Sequence, residues 1–460
     1  MKILMFGRVW QSAALKPLRH RKPISGNSIG QSPYLRRTTA DSVGRENAQP
    51  AQDVRASNPA RSKSQLHFEV LKMLRNMGTL VLALILACAS TVLASAQAAS
   101  SPADHSLQSS SSPAAFIYVV STPASGKNQI TGYAAAADGA LSTIAGTPFS
   151  TAINDVALNS AWLFGTDGKN IDSFSIAPNG ALKHVDTLAV EPEGGLGSLF
   201  LDHTGMSLYA DYYTTNNEEL AYSIDDSTGK LTYLDNIMAG PGFGYVESFI
   251  GNDHYAYEST CYHFTPSIYG IQRSSDGAIT MLDVNPPYPT APSGDSYCPW
   301  SAAADPANHL AIAMQPLNSD FLPIGPYQLA TYTVDSAGQL STTSTSQNMP
   351  TTEAGGQAGN SASQVIDYWM SPSGKLLAVA GTSGLQVFHF NGANPITKYT
   401  GLLVTDEVDQ VFWDNSNHLY AIGDTAGKLW VFTVTETSVT QAPGSPHSIT
   451  SPGDMIVLPK

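Results

Sequence analysis

The 460-residue chain carries 23 Lys+Arg against 37 Asp+Glu, and the two signs are segregated. Residues 1–76 hold 14 of the basic residues and four acids, Asp41, Glu46, Asp53 and Glu69, leaving 9 basic and 33 acidic residues for the remainder. With Arg273 its only arginine after Arg75, the remainder repels phosphate backbones, anionic membranes and phosphorylated small molecules, which excludes nucleic acid and leaves small molecules, sugars or proteins that are neutral or cationic as partners.

Residues 1–76 bear Arg, Ser and Pro without hydrophobic period and read as a disordered extension, or as sequence upstream of a true start at Met73 or Met77. The stretch Gly26-Asn27-Ser28-Ile29-Gly30 fits the G-x-S-x-G nucleophile pattern, but no strand or helix signal surrounds it. Residues 77–98 read as a secretory signal peptide. Lys72 and Arg75 precede an apolar core from Leu80 to Ala87, and Ala94-Ser95-Ala96 or Ala96-Gln97-Ala98 supplies the cleavage site. The apolar run is shorter than the ~20 residues that span a bilayer, so a retained anchor is the weaker reading and no stable span is expected after cleavage. Ile85-Leu86-Ala87-Cys88 is a poor lipobox, because Leu86 is large where a small residue is usual. Periplasmic or secreted location is therefore expected, with a lipid anchor on Cys88 as the lesser alternative. Residues 99–115 form a Ser/Pro-rich linker.

From Phe116 to Lys460 one unit returns seven times: a hairpin of strands c and d, preceded by a strand b and, in six units, by a small or apolar strand a. The hairpins begin at Ile130, Ile171, Leu220, Ile268, Leu329, Leu385 and Leu429. Asp138-Gly139, Asn179-Gly180 and Asp276-Gly277 supply the positive φ of their tight turns. Strands b include Ile117-Tyr118-Val119, Leu208-Tyr209 and Leu419-Tyr420-Ala421, and strands a start near Asp155, Ser198, Ser248, Ser301, Asp367 and Gln410. The first unit lacks its strand a, and Asp454-Met455-Ile456-Val457-Leu458 is a strand without a unit. The expected fold is an all-β, seven-bladed β-propeller of four-stranded blades, closed by the C-terminal strand completing the first blade.

Ile117-Tyr118-Val119-Val120, the run from Ser371-Pro372-Ser373-Gly374 to Leu377-Ala378-Val379, and the repeated Asp/Asn-Gly-x-Leu hairpins carry a resemblance. Over about 117–460 the chain resembles the exported seven-bladed lactonase-like propellers, which include 6-phosphogluconolactonase-like and YVTN-repeat proteins. The resemblance implies the propeller and, by kinship, lactone hydrolysis. The chain departs from the pattern where Val120 replaces the usual Asn and where Ala210-Asp211 follow Tyr209. No catalytic position carries over.

Gly240-Pro241-Gly242-Phe243-Gly244 reads as a loop, and His254 and His263 beside Cys261 are too few to hold zinc. Two constellations converge on the face where d–a and b–c connections meet. Asp155, Glu247, Asp367, Asp409 and Asp454 fall at strand a starts and would form a partial carboxylate ring able to hold Ca²⁺ or another divalent cation. The competing reading has each acid capping a strand. Aromatic residues crowd the same face of the third to fifth blades, and Tyr245, Tyr262, Tyr297, Trp300 and Tyr327 together with Glu247 are the expected ligand-contacting set. Satellite cores under long loops are the alternative. Lys127 and Lys428 are the cations expected on this face. Cys261, in the b–c loop of the fourth blade, and Cys298, just before strand a of the fifth, are expected to form a disulfide. Ligand or partner binding on this face is the leading function, with lactone hydrolysis at the channel mouth and an envelope scaffold as alternatives.

Overall fold

The computed structural model describes residues 112–190, 194–213, 218–238, 248–262, 265–356 and 364–460. The extension and signal peptide lie outside them, as does most of the linker. Strand follows strand from Ala115 to Pro459, with no helix among the described residues. They form seven separate antiparallel sheets, each running a-b-c-d, with a short fifth strand added in blades 1 and 7. Each sheet is a blade, and the seven form a propeller.

Closure is as the leftover strand required. Pro452–Pro459 pairs antiparallel with Ala115–Ser121, setting Val457 opposite Ile117 and Ile456 opposite Tyr118. Alternate residues of a strand point to opposite faces. Met455 and Val457 accordingly enter the seam with blade 7, and Leu458 enters the seam with blade 2.

The core is divided among the seven seams between adjacent blades. Among the described residues, six seams hold eleven to fourteen buried apolar side chains each, and the seam between blades 3 and 4 holds seven. At one end of the barrel the seams are pinned by strand b aromatics. The hydroxyls of Tyr118, Tyr209 and Tyr257 donate to the carbonyls of Gly180, Gly277 and Gly338 in the c–d turn of the next blade, at 2.7–3.0 Å. These glycines have φ of +82°, +95° and +76°. A Cβ at Gly180 would also stand 2.8 Å from the Phe116 ring, so turn geometry and close approach both require glycine there.

Two strand boundaries differ from expectation. Strand a of blade 5 begins at Ser296, not near Ser301, and runs through Pro299 to Ala304. Strand a is the innermost edge of its sheet, where a missing N–H costs no ladder bond. Strand a of blade 3 begins at Gly195, ahead of Ser198. Cys298 therefore lies in strand a of blade 5, and Cys261 lies in strand b of blade 4, Tyr255–Tyr262, not in the b–c loop. Their Cα atoms are 5.4 Å apart and the disulfide is formed.

Candidate functional site

The end of the barrel where strands a begin and strands b finish gathers most of the unusual chemistry. Strands a of neighbouring blades lie side by side but are not hydrogen-bonded to one another. Their facing N–H groups need other acceptors. Side chains at the strand starts provide them. Asp454 accepts from Val156 N at 2.7 Å, Asp155 from Leu199 N at 2.8 Å and Asp367 from Val411 N at 2.8 Å. Gln410 Oε1 accepts from Met455 N at 2.7 Å, and its amide donates to Asp454. Each contact crosses to the next blade, so the acids tie neighbouring strands rather than their own. Asp409 accepts from Asp424 N at 2.7 Å within blade 7. Glu247 lies outside the described residues. Among the described residues no three His, Cys, Asp or Glu side chains are arranged to hold a metal ion.

Two carboxyls that the sequence does not single out are held well above the usual carboxylate range. Asp424 directly follows strand His418–Gly423. One of its oxygens is buried without a donor. Burial, then the charges of Asp409, Asp454 and Glu407, push it up to about 8. Glu219 is fully buried in strand c of blade 3, opposite Asp211 of strand b. Burial pushes it up to about 8, against the opposing pull of its hydrogen bond with Asp211. A carboxyl near neutrality is suited to proton transfer, but only Asp424 is partly open to solvent. The available signal was acids inside strands, in Leu208-Tyr209-Ala210-Asp211 and Glu218-Glu219-Leu220. Alternation alone does not say which face meets the next blade.

The aromatic set divides differently. Tyr297 and Tyr327 are 4% and 3% exposed and belong to the packing of blades 4 to 6. The Tyr297 hydroxyl donates to Gln328 at 2.6 Å. Trp300, partly buried, packs against the same core, and its indole N–H has no acceptor. Tyr262 ends strand b of blade 4, and Tyr245 lies outside the described residues. Large apolar groups that do face solvent at this end include Phe321, Leu322 and Ile324, on the b–c connection of blade 5, and Met238, at the end of strand d of blade 3. Lys169 joins Lys127 in the b–c connections, and Lys428 begins strand c of blade 7 with its Nζ 2.8 Å from Asp406.

Arg273 sits at the opposite end of the seam between blades 3 and 4. It makes a buried ion pair with Asp202 and donates to Tyr209 Oη at 2.9 Å and Ser207 Oγ at 3.0 Å. It is therefore committed to holding two blades together.

No family model matches the chain, and no curated protein matches it. Solved structures do. A protein from Lactobacillus plantarum is 14% identical, with a TM-score of 0.55 over 75% of this chain and 99% of that one. The periplasmic gluconolactonase of Pseudomonas aeruginosa is 13% identical, with a TM-score of 0.52 over 75% and 99%. A 6-phosphogluconolactonase candidate from Bacteroides fragilis is 14% identical, with a TM-score of 0.56 over 76% and 99%. The chain thus has the seven-bladed architecture of the lactonase-like propellers, and at such identities the likeness concerns the fold.

Proposed function

We propose that this is an exported recognition propeller that binds a neutral or cationic ligand, a sugar or a basic protein segment, over the end of the barrel where strands a begin. The supporting observation is charge. Asp155, Asp367, Asp409 and Asp454 all stand at that end. Nearby carboxylates attract cations and reject anions, and the effect is strongest at low salt. Equilibrium titration of the mature chain with a glucosamine oligomer at rising ionic strength tests this. Affinity is expected to weaken with salt and to weaken again in Asp409→Asn/Asp424→Asn. An affinity moved by neither would refute the proposal.

Lactone hydrolysis is the second reading, favoured by Asp424. A half-buried carboxyl held near neutrality can give a proton to a departing ring oxygen or take one from water. The solved structures of similar fold include one named a gluconolactonase. Hydrolysis of a neutral aldonolactone above the spontaneous rate, lost in Asp424→Asn, would support this reading. No acceleration by the wild-type chain would remove it.

A further inference from the structure

The seam between blades 3 and 4 is built unlike the other six. Its buried apolar set is the smallest among the described residues, and consists of Tyr209, Ala221, Ile237, Phe249, Ala256, Ile271 and Ile279. Strand alternation explains why. Tyr209 and Ala221 face blade 4, so Asp211 and Glu219, two residues further on along their strands, face it too. Ala256 faces blade 3, so Glu258 points back at them. Asp211, Glu219 and Glu258 are 2%, 0% and 7% exposed. Three buried carboxyls thus share this part of the seam.

Neither oxygen of Glu219 receives an N–H or O–H donor. Its hydrogen-bonding neighbour is the Asp211 carboxyl, directly across the strand pair. Two carboxylate oxygens cannot hydrogen-bond to each other without a proton between them. No lysine or arginine of blades 3 and 4 serves this end: Lys230 lies at the far c–d turn, and Arg273 is bound to Asp202. The Tyr213 hydroxyl also faces the cluster, with Asp211, Glu219, Glu258 and Asp155 all raising its pKa after burial itself.

We infer that the seam between blades 3 and 4 is a proton-dependent contact: Asp211 and Glu219 share one proton that closes it, and losing that proton in mildly alkaline solution loosens these two blades against each other. The sign follows from linkage. The Glu219 carboxyl ionises near 4.5 when the chain is unfolded and near 8 in the fold. Between those values the folded chain binds the extra proton, so stability is greatest below the lower value and falls as pH rises through the upper one.

The test is thermal unfolding of the wild type, Glu219→Gln and Asp424→Asn from about pH 5 to about pH 9. Wild-type Tm is expected to fall across this range. Glu219→Gln keeps a donor facing Asp211 without a proton to lose. It should match the wild type at the acid end and exceed it by several degrees at the alkaline end. Asp424→Asn reports the separate proton at the barrel mouth and should leave the Glu219 share of the slope intact. A Glu219→Gln variant with the full wild-type slope overturns the inference. So does calcium alone restoring alkaline stability, because the cluster would then be a cation site. If Glu219→Gln does not fold, difference infrared spectroscopy of the wild type decides. A protonated carboxyl band at neutral pH that bleaches on alkalinisation, together with faster amide exchange in Ser207–Tyr213 and Tyr255–Tyr262 after correction for intrinsic rates, supports it. Absence of that band refutes it.

Discussion

Removing residues 452–460 takes the innermost strand out of blade 1 and opens two seams at once. Met455 and Val457 leave the seam with blade 7, and Leu458 leaves the seam with blade 2; all three are at most 6% exposed. At about 1.5–3 kcal/mol for each side chain fully buried, the direct loss is about 5–9 kcal/mol. The Asp454 acceptor for Val156 N and the Met455 donor to Gln410 go with it. Ala115–Ser121 becomes an unpaired apolar edge that invites association. A domain stability of about 5–15 kcal/mol does not absorb such a loss comfortably. The truncated chain should unfold at a much lower temperature or elute as aggregate in size-exclusion chromatography. The point variant Met455→Ala separates packing from pairing and should cost about 2–5 kcal/mol in denaturant unfolding. A truncated chain that stays monomeric with unchanged Tm would mean that Pro452–Pro459 does not close the ring.

Arg273→Met should destabilise by about 3–5 kcal/mol, because it strands the buried Asp202 carboxylate; chemical denaturation measures it, and a neutral outcome would mean that Asp202 finds another partner. Cys261→Ser/Cys298→Ser, which opens a cross-link between residues 37 apart, should lower stability by about 4 kcal/mol on the chain-entropy model, and an unchanged denaturant midpoint under oxidising conditions would contradict the bridge. Gly180→Ala, at φ +82° and against Phe116, should cost at least about 1 kcal/mol, more than an ordinary surface substitution. Purified mature protein should not accelerate 6-phosphogluconolactone hydrolysis, since the lysines at the b–c connections are Lys127, Lys169 and Lys428 and Lys428 is already held by Asp406; turnover above the spontaneous rate would overturn this.

The propeller was legible because its signals are local and repeated. Asn179-Gly180 and Asp276-Gly277 announce hairpins, Ile117-Tyr118-Val119 announces a strand, and the unpartnered Met455 to Leu458 run demands a blade to complete. The disulfide followed once adjacent blades were assumed. What the chain did not disclose are contacts made between blades. That Asp155 accepts from Leu199, or that Tyr118 reaches Gly180, depends on how one sheet faces the next. The acids at strand starts were noticed, but their seam-bridging hydrogen bonds were not foreseeable. Asp211 and Glu219 were missed for the same reason. Tyr297 looked like a loop aromatic because strand a of blade 5 runs through Pro299, whereas Tyr327 lies in the b–c connection and still packs into the core. A proline usually marks a break, and only the position at a sheet edge makes it harmless.

The functional proposal turns on the sign of charge its ligand bears. Its most direct measurement is binding of three oligosaccharides of equal length to the mature chain at low salt: a glucosamine oligomer, its neutral N-acetylated form and a uronic acid oligomer. The acidic mouth, with Asp409 and Asp454 gathered at one end, predicts that the amino sugar binds most tightly, the neutral form next and the uronic acid least, with the differences shrinking as salt is added. Binding of the uronic acid as tight as that of the amino sugar would contradict it.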